Sequence, residues 1–256
     1  MARMTAVYCI NLARRKDKWA AMERQSKGLG VSIVRIDAID ARATSNLTSI
    51  QKLKHIGPIG TLSKGTRACT LSHSLAWQRF LNTEAPFAVI VEDDIVFTHA
   101  FKKFLQTTRS LPHGCDVLKL HGLAPGEKHL VVKSKSTFKS GDGFRYSEIL
   151  SFSPGAYGYA LSRRGAEVAL ERMASIAIPV DHFLFNPSAS RHHMGLKVFD
   201  IDQPVLRLNT EFASDLSGQR SEGSRFAMHL KRSVFEARNL IKATTALALG
   251  IGRISR

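Results

Sequence analysis

Short apolar runs alternate with segments of helical composition along the first half of the chain. A compact apolar run predicts a buried strand, and a longer amphipathic segment that ends near a glycine predicts a helix. This alternation predicts an α/β fold whose mostly parallel sheet is covered by helices on both faces. The predicted strands lie at residues 6–12, 31–40, 87–97 and 115–122, and the predicted helices at residues 14–30, 66–84 and 98–110, with a loop at 41–65.

The second half of the chain begins with a polar segment. Residues 126–144 are rich in Ser, Gly and Lys, which predicts an exposed hairpin or a mobile loop. Residues 155–162 predict a strand whose glycines allow a close backbone approach, and residues 163–175 predict a helix. Residues 195–208 predict either a strand pair or a strand followed by a turn.

Composition limits the class of protein. The 256 residues fit one domain with a subdomain or tail, and the 44% hydrophobic content is that of an ordinary globular core. No apolar run approaches the ~20 residues of a membrane span, and the N-terminal segment is interpreted as leading into a strand and not as a signal peptide. Three widely spaced cysteines favour a reducing compartment, so we expect a cytoplasmic protein.

The chain is strongly basic, with a formal net charge of +16 and a pI near 10.2. Such a surface suits nucleic acid, anionic lipid or a phosphorylated substrate. Nucleic acid is the less favoured partner, because the basic residues are spread widely, are not interleaved with aromatic residues and form no recognised binding motif. Charge alone does not choose between lipid and phosphorylated substrate.

Three acids, Glu92, Asp93 and Asp94, follow a buried apolar run directly. In a strand, Glu92 and Asp94 share one face, and open α/β sheets bind ligands beyond the carboxyl ends of their strands. Two carboxylates there suit Mg²⁺ or Mn²⁺. The alternative is that the acids cap the next helix, whose N-terminus near Thr98 favours negative charge.

The chain resembles glycosyltransferase family 25, the lipooligosaccharide-type sugar transferases, over roughly residues 6–220. Five segments carry this resemblance, in the order and at the spacing of the family. They are VYCINLARRKDKW, ACTLSHSLAW, VIVEDDIVF, GAYGYALSRRGAEVAL and PVDHFLF. The resemblance implies a GT-A fold, a UDP-sugar donor, a divalent cation (Mn²⁺ or Mg²⁺) and inverting transfer of galactose or a related hexose to a lipopolysaccharide core acceptor.

The resemblance also assigns the acids. The EDD sequence corresponds to the DxD-type motif of such enzymes, so Asp94 is expected to bind the metal directly. Glu92 is expected to act as a second ligand or, like Asp93, to contact the donor ribose or a metal-bound water. The chain departs from the family pattern at Thr66 and Ala68, which replace an acid and a glycine, and this leaves the sugar specificity open.

Further donor-binding residues are predicted at two places. Asn11, Arg14 and Arg15 lie where the first strand gives way to a helix, a turn that offers N–H groups to a nucleotide. The alternative for these residues is a solvated basic helix start. Ser72 and His73 lie in the helix before the acids. Adjacent helical residues diverge, so no nucleophile–base pair is inferred, but the resemblance places one of the two at the donor.

The resemblance implies an inverting transfer, and such a transfer needs one carboxylate as its base. Asp181 is predicted to be that base, and Asp215 is the rival candidate. Asp181 has an alternative role as the N-cap of the next helix. Gly155 and Tyr159 are expected to line the sugar pocket, with plain core packing as the alternative for both.

A change of pattern near residue 220 divides the chain into a predicted transferase domain, 1–219, and a basic tail, 220–256. In the tail an apolar helical stripe is flanked by Lys231, Arg238 and Lys242. This pattern is typical of a helix lying on an anionic membrane surface, beside lipid-linked acceptors on the inner face of the bacterial inner membrane. The alternatives are a helix packed on the domain and, for the whole chain, a degenerate transferase fold that serves as an adaptor.

Overall fold

The structure, a computed structural model, describes residues 5–127, 129–139, 143–175, 177–191, 194–212, 237 and 240–255. The strands are β1 (Val7–Asn11), β2 (Ile33–Asp37), β3 (Ile56–Gly57), β4 (Gly60–Thr61), β5 (Phe87–Glu92), β6 (Ile95–Phe97), β7 (Val117–Lys119), β8 (Val131–Lys139), β9 (Arg145–Ile149), β10 (Gly158–Ser162), β11 (Val198–Ile201), β12 (Leu206–Leu208) and β13 (Gly252–Ser255). The helices are α1 (Lys16–Leu29), α2 (Leu47–Lys52), α3 (Lys64–Leu81), α4 (His99–Thr107), α5 (Arg163–Met173), α6 (Val180–Phe185) and α7 (Pro187–Ser190).

Nine strands form one central sheet, in the order β13-β8-β9-β11-β7-β10-β5-β1-β2. The pairs β1–β2, β1–β5 and β7–β11 are parallel, as the sequence predicts for an α/β fold. The other five pairings within this sheet are antiparallel. The sheet is therefore mixed, and the expected parallel arrangement holds in the half that ends at the three acids. Within residues 126–144, predicted as an exposed hairpin or a mobile loop, β8 forms the first strand of a hairpin, and its partner β9 begins just beyond that range at Arg145.

Helices cover both faces of the sheet, which confirms that part of the prediction. Alternate residues of β5 face opposite sides: Ile90 joins the core under α3 and α5, whereas Val89 and Val91 join the core under α1 and α4. The continuous apolar sequence of β5 follows from this two-sided burial, because neither face of a central strand meets water.

The segment between β2 and α3 was predicted as loop, but α2 and the β3–β4 hairpin lie within it. Its breakers Gly57 and Gly60 form the hairpin, and α2 has too few apolar residues to give a helical period. Residues 195–208 contain two strands, β11 and β12, which do not pair with each other. The two strands join different sheets, since β12 pairs with β6.

Most of the predicted 220–256 tail lies outside the described residues. Residues 240–248 are helical, and Ala243 and Ala246 are buried against Val132 of β8. The end of the chain then pairs with β8 as strand β13. In its described part the tail is therefore packed on the domain. None of the described helices combines the length and the apolar character needed to cross a membrane.

The close approach of α5 to the sheet depends on a glycine. A Cβ at Gly165 would lie 2.5 Å from the backbone oxygen of Asp116, so we expect Gly165→Ala to lower the free energy of unfolding by ~1–3 kcal/mol. At Gly28 in α1 a Cβ would meet nothing within 4 Å, so Gly28→Ala should raise the free energy of unfolding by ~0.4–1 kcal/mol. Urea denaturation of the two variants measures both signs, and equal effects would contradict this packing.

Candidate active site

The three acids lie where β5 ends beside β1, and a buried lysine forms ion pairs with two of them. Lys18 of α1 has only 2% of its side chain exposed, and its Nζ lies 3.1 Å from Asp94 Oδ2 and 3.3 Å from Asp93 Oδ1. Asn11, the last residue of β1, donates from Nδ2 to Asp93 Oδ2 at 2.6 Å. The backbone N–H of Asn209 donates to Asp94 O at 2.7 Å and so fixes the turn from the β12 side.

The electrostatics of this cluster are those of crowded carboxylates. Burial, followed by the negative charge of Glu92, raises the pKa of Asp94 to about 6, and Lys18 opposes the shift. Burial likewise raises the pKa of Asp93, again against Lys18 and Asn11. The acids do not cap the next helix as the alternative required, because β6 intervenes and Thr98 Oγ1 caps α4 by accepting from the Phe101 N–H.

Glu92 is oriented differently from the two aspartates. Its carboxylate is 31% exposed and its Oε1 lies 3.5 Å from His73 Nε2. The other nitrogen, His73 Nδ1, lies 2.9 Å from the Tyr159 hydroxyl, which accepts a hydrogen bond from Trp77 Nε1 at 2.7 Å. His73 is thus held by a buried aromatic network and presents Nε2 to Glu92.

Two cavities meet at the acids. The first, of about 110 Å³, lies between β1, α3 and the acids. The second, of about 630 Å³, lies between the acids, the loop before β10 and the start of α6. Cys69, Glu92 and Asp94 line both. Glu92 and Asp94 line both cavities, but Asp93, predicted to face the other side, lines the first cavity with them, because Asp93 and Asp94 lie in the turn after β5 and not in the strand.

Asp181 lies in the wall of the larger cavity. Its Oδ2 accepts from the Gly155 N–H at 3.3 Å and its Oδ1 from the His182 N–H at 2.8 Å. Asp181 is not an N-cap, since Pro179 occupies that position of α6. Each oxygen keeps a lone pair for a further partner, so the carboxylate is positioned and able to accept a proton.

A fully buried lysine fixes the loop that carries Gly155. Lys119, at the end of β7, donates from Nζ to Ser153 O and Oγ, both at 2.9 Å, and to Pro154 O. Gly155 itself has φ +84°, and a Cβ there would lie 2.7 Å from the Tyr157 ring. This loop conformation therefore requires glycine.

The burial of Lys119 predicts a pH effect on stability. Burial lowers the pKa of Lys119 to about 7, with the charge of Asp200 opposing the shift, whereas an unfolded lysine titrates near ~10.4. Between these values the unfolded chain binds more protons, so the free energy of unfolding rises with pH by up to ~1.4 kcal/mol per unit. We expect Lys119→Met to lose this slope between about pH 7 and pH 8.5 in urea denaturation, while exposed Lys197→Met retains it.

The predicted donor residues are only partly gathered. Arg14, Ser72 and His73 line the smaller cavity, as the prediction requires, and Arg14 Nε pairs with Asp40 Oδ2 at 2.8 Å. Asn11 supports Asp93 instead of lining the cavity. Arg15 is not among the described residues that line either cavity, and it pairs with Asp17.

The prediction that Tyr159 lines the sugar pocket is wrong. Its ring is fully buried and serves the hydrogen-bond network with His73 and Trp77, which is the core alternative. Tyr157 takes the place in the cavity wall and donates to Gly122 O at 2.7 Å. Gly155 lines the cavity as predicted. Thr66 also lines it, and Ala68 lines the smaller one. Asp215 lies outside the described residues.

The residues present fit a divalent cation. Asp94 Oδ1 and His73 Nε2 are buried without a hydrogen-bond partner among the described residues, and both belong to side chains that line the smaller cavity. Glu92 is the most exposed of the acids, lines the same cavity, and has its Oε1 3.5 Å from His73 Nε2. Two carboxylates and an imidazole nitrogen are ordinary ligands of Mn²⁺ and related ions. Lys18 already balances part of the negative charge, so one dication is enough for the cluster.

Comparison with known proteins places these residues in a family. The family model described as "Glycosyltransferase family 25 (LPS biosynthesis protein)" matches residues 4–184. That range includes β1, the acids of β5 and Asp181. A solved glycosyltransferase involved in the glycosylation of the major capsid of PBCV-1 aligns with 91% of this chain and all of its own, at 7% identity and a TM-score of 0.38. That score is too low to support an argument about fold.

Curated relatives fall in the same family. Procollagen galactosyltransferase 1-A of Xenopus laevis is 29% identical over 192 residues, which are 70% of this chain and 30% of the relative. The human procollagen galactosyltransferase 2 is 29% identical over 70% of this chain and 29% of its own. A probable inactive glycosyltransferase 25 family member 3 of Rattus norvegicus matches at the same identity, over 70% of this chain and 32% of its own. The chain thus spans under a third of the length of these relatives.

Proposed function

The chain belongs to glycosyltransferase family 25, and from this premise we propose that it transfers galactose or a related hexose from a UDP-sugar to a saccharide acceptor. The hexose follows the relatives that are named galactosyltransferases. A GT-A type of nucleotide site fits the described topology, in which parallel strands β2, β1 and β5 end at the acids.

One observation carries the proposal: Glu92 and Asp94 line both cavities, and Asp181 lines the larger one with them. Small-molecule sites measure about 300–1,000 Å³. The smaller cavity is below that range, so a nucleotide-sugar would extend across the acids, with its nucleoside on the β1 side and its sugar towards Asp181. This orientation puts the diphosphate at the carboxylates and at the cation that they would bind.

The chemistry is a single displacement at the anomeric carbon. Asp181 removes the proton from an acceptor hydroxyl, and the oxygen attacks the carbon from the side opposite the diphosphate, with inversion. The bond to the diphosphate breaks, and the nucleoside diphosphate leaves with the electron pair. A cation bound by Asp94 and Glu92 would neutralise the charge that develops on this leaving group. Arg14 lines the smaller cavity and lies two residues before the first residue of α1. The positive charge of Arg14 and the N-terminus of α1 would add to the stabilisation of the leaving diphosphate.

The acceptor is proposed to be a lipid-linked saccharide of the lipopolysaccharide core, in keeping with the description of the family. The described end of the chain exposes Leu240, Ile241 and Leu249 near Lys242. Exposed apolar side chains next to a basic residue suit contact with an anionic membrane surface. We propose that the protein works from the cytoplasm at the inner face of the inner membrane.

A thermal-shift series with UDP-, GDP- and CMP-sugars, each with and without Mn²⁺, tests the proposal. Of the three donor classes, we expect only the UDP-sugars to raise the melting temperature, and only when Mn²⁺ is present. Asp94→Ala should abolish this shift. Glu171→Gln, which changes an exposed carboxylate on α5, should keep the full shift. The absence of a shift with every donor, in a protein that melts cooperatively, would overturn the proposed activity.

A further inference from the structure

A sulfur, a nitrogen and an oxygen ligand meet beside the acids. Cys69 and His73 lie one helical turn apart on α3, and Glu92 faces them from the end of β5. One ligand atom from each lies within 4.8 Å of the other two. Residues four apart on a helix share one face, which is the arrangement that helical metal sites use to supply two ligands from one element.

The contacts of His73 leave its Nε2 able to bind a metal ion. Trp77 can only donate, so the Tyr159 oxygen accepts from it and either donates to His73 Nδ1 or accepts from it. If Nδ1 carries the proton, Nε2 presents a lone pair to Glu92 Oε1 at 3.5 Å. A lone pair and a carboxylate at that distance repel each other unless a cation lies between them. The buried Tyr159 contact then acts as the outer partner that fixes a metal-bound imidazole.

We propose that Cys69, His73 and Glu92 bind a transition-metal dication of the Zn²⁺ class. A thiolate, a neutral imidazole and a carboxylate together carry two negative charges and match the ligands of such ions, whereas Mg²⁺ prefers oxygen alone. Because both cavities include Cys69 and Glu92, a fourth position opens to water or substrate. The site does not require sugar transfer, although it shares Glu92 with the Mn²⁺ or Mg²⁺ site proposed above.

The neighbouring charges favour this location over the two aspartates for a softer ion. The ammonium of Lys18 already lies within 3.3 Å of both Asp93 and Asp94. Glu92 has no ion pair with Lys18 among those of the described residues and instead has its Oε1 3.5 Å from His73 Nε2. A hard ion held by Asp94 and a softer ion held by Cys69 therefore compete for Glu92, so we expect excess Zn²⁺ to weaken Mn²⁺ binding.

Titration of the apo protein with Co²⁺ tests the site directly, because a thiolate bound to Co²⁺ gives a charge-transfer band in the near ultraviolet. We expect this band at one equivalent, and its loss in Cys69→Ser, with affinity weakened at least about tenfold there and in His73→Gln. Cys115→Ser, a buried thiol elsewhere, and Asp94→Asn should keep the band. Circular dichroism establishes that each variant folds. A second measurement needs no variant: bound Zn²⁺ should protect one thiol of the wild-type protein from an alkylating reagent.

The outcomes separate the site from the proposed transfer. If the protein binds the metal without a thiolate band, and Asp94→Asn abolishes that binding, the Cys69 site is overturned and the proposed Mn²⁺ role still stands. A thiolate band in a protein that no UDP-sugar stabilises would support the Cys69 site and overturn the transferase proposal. Failure to bind Co²⁺ or Zn²⁺ at all would overturn the Cys69 site.

Discussion

Replacing Asp181 by Asn is expected to lower the turnover number for sugar transfer by about 10²–10⁴-fold, the usual contribution of a general base. The amide keeps the size of the side chain, and its oxygen can still accept from one of the two N–H groups that hold the carboxylate. It cannot take a proton from the acceptor hydroxyl. The loss should appear in the turnover number, with the UDP-sugar thermal shift largely retained, because the nucleoside and the diphosphate are proposed to lie at the smaller cavity and the acids, and Asp181 does not line that cavity.

The measurement is a radiolabelled or coupled transfer assay at saturating donor and acceptor. Asp202→Asn is a matched control, since Asp202 is a partly buried carboxylate that pairs with Arg253 on the far side of the sheet. If Asp181→Asn keeps more than about a tenth of the wild-type turnover, the base lies elsewhere. Asp215, the rival candidate from the sequence, is then the next residue to change.

The sequence was sufficient for the strands that carry the site. An apolar run followed at once by acids could only be a buried strand ending at an opening, because carboxylates are not left unpaired in a core. β5 and Glu92 are found in that arrangement. Apart from the β8–β9 hairpin, the antiparallel half of the sheet is less predictable, because β9 pairs with β11, β7 with β10 and β8 with β13 across long sequence separations that leave no local pattern.

The errors have particular causes. Tyr157 and Tyr159 both precede or enter β10 and lie two residues apart, so neither periodicity nor composition tells which ring faces the cavity. The expected partner of the acids is a cation together with nearby basic residues, and the structure shows that Lys18, the third residue of α1, is one such partner. In the sequence Lys18 is one of several basic residues of a predicted solvated helix. In the fold, α1 packs on β6 and the Lys18 side chain is buried.

Lys18→Met is expected to lower the free energy of unfolding by ~3–5 kcal/mol, the effect of removing one partner from a buried ion pair. Asp93 and Asp94 are nearly buried, with 10% and 15% of their side chains exposed, and the methionine would leave both without their ammonium. Lys27→Met is the matched control, because Lys27 is an exposed lysine on the same helix and should change stability by less than ~0.5 kcal/mol.

A double-mutant cycle separates the charge from the packing. Adding Asp93→Asn to Lys18→Met removes one of the uncompensated carboxylates, so the double variant should be more stable than Lys18→Met alone, although Asp93→Asn by itself destabilises the wild type. Urea denaturation of the four proteins gives the coupling free energy, which we expect to be at least ~1 kcal/mol. Independent effects would mean that Lys18 stabilises α1 through its aliphatic stem. In that case the ammonium of Lys18 does not offset the carboxylates of Asp93 and Asp94. Lys18→Met, which keeps an aliphatic side chain, would then strengthen Mn²⁺ binding without lowering the free energy of unfolding.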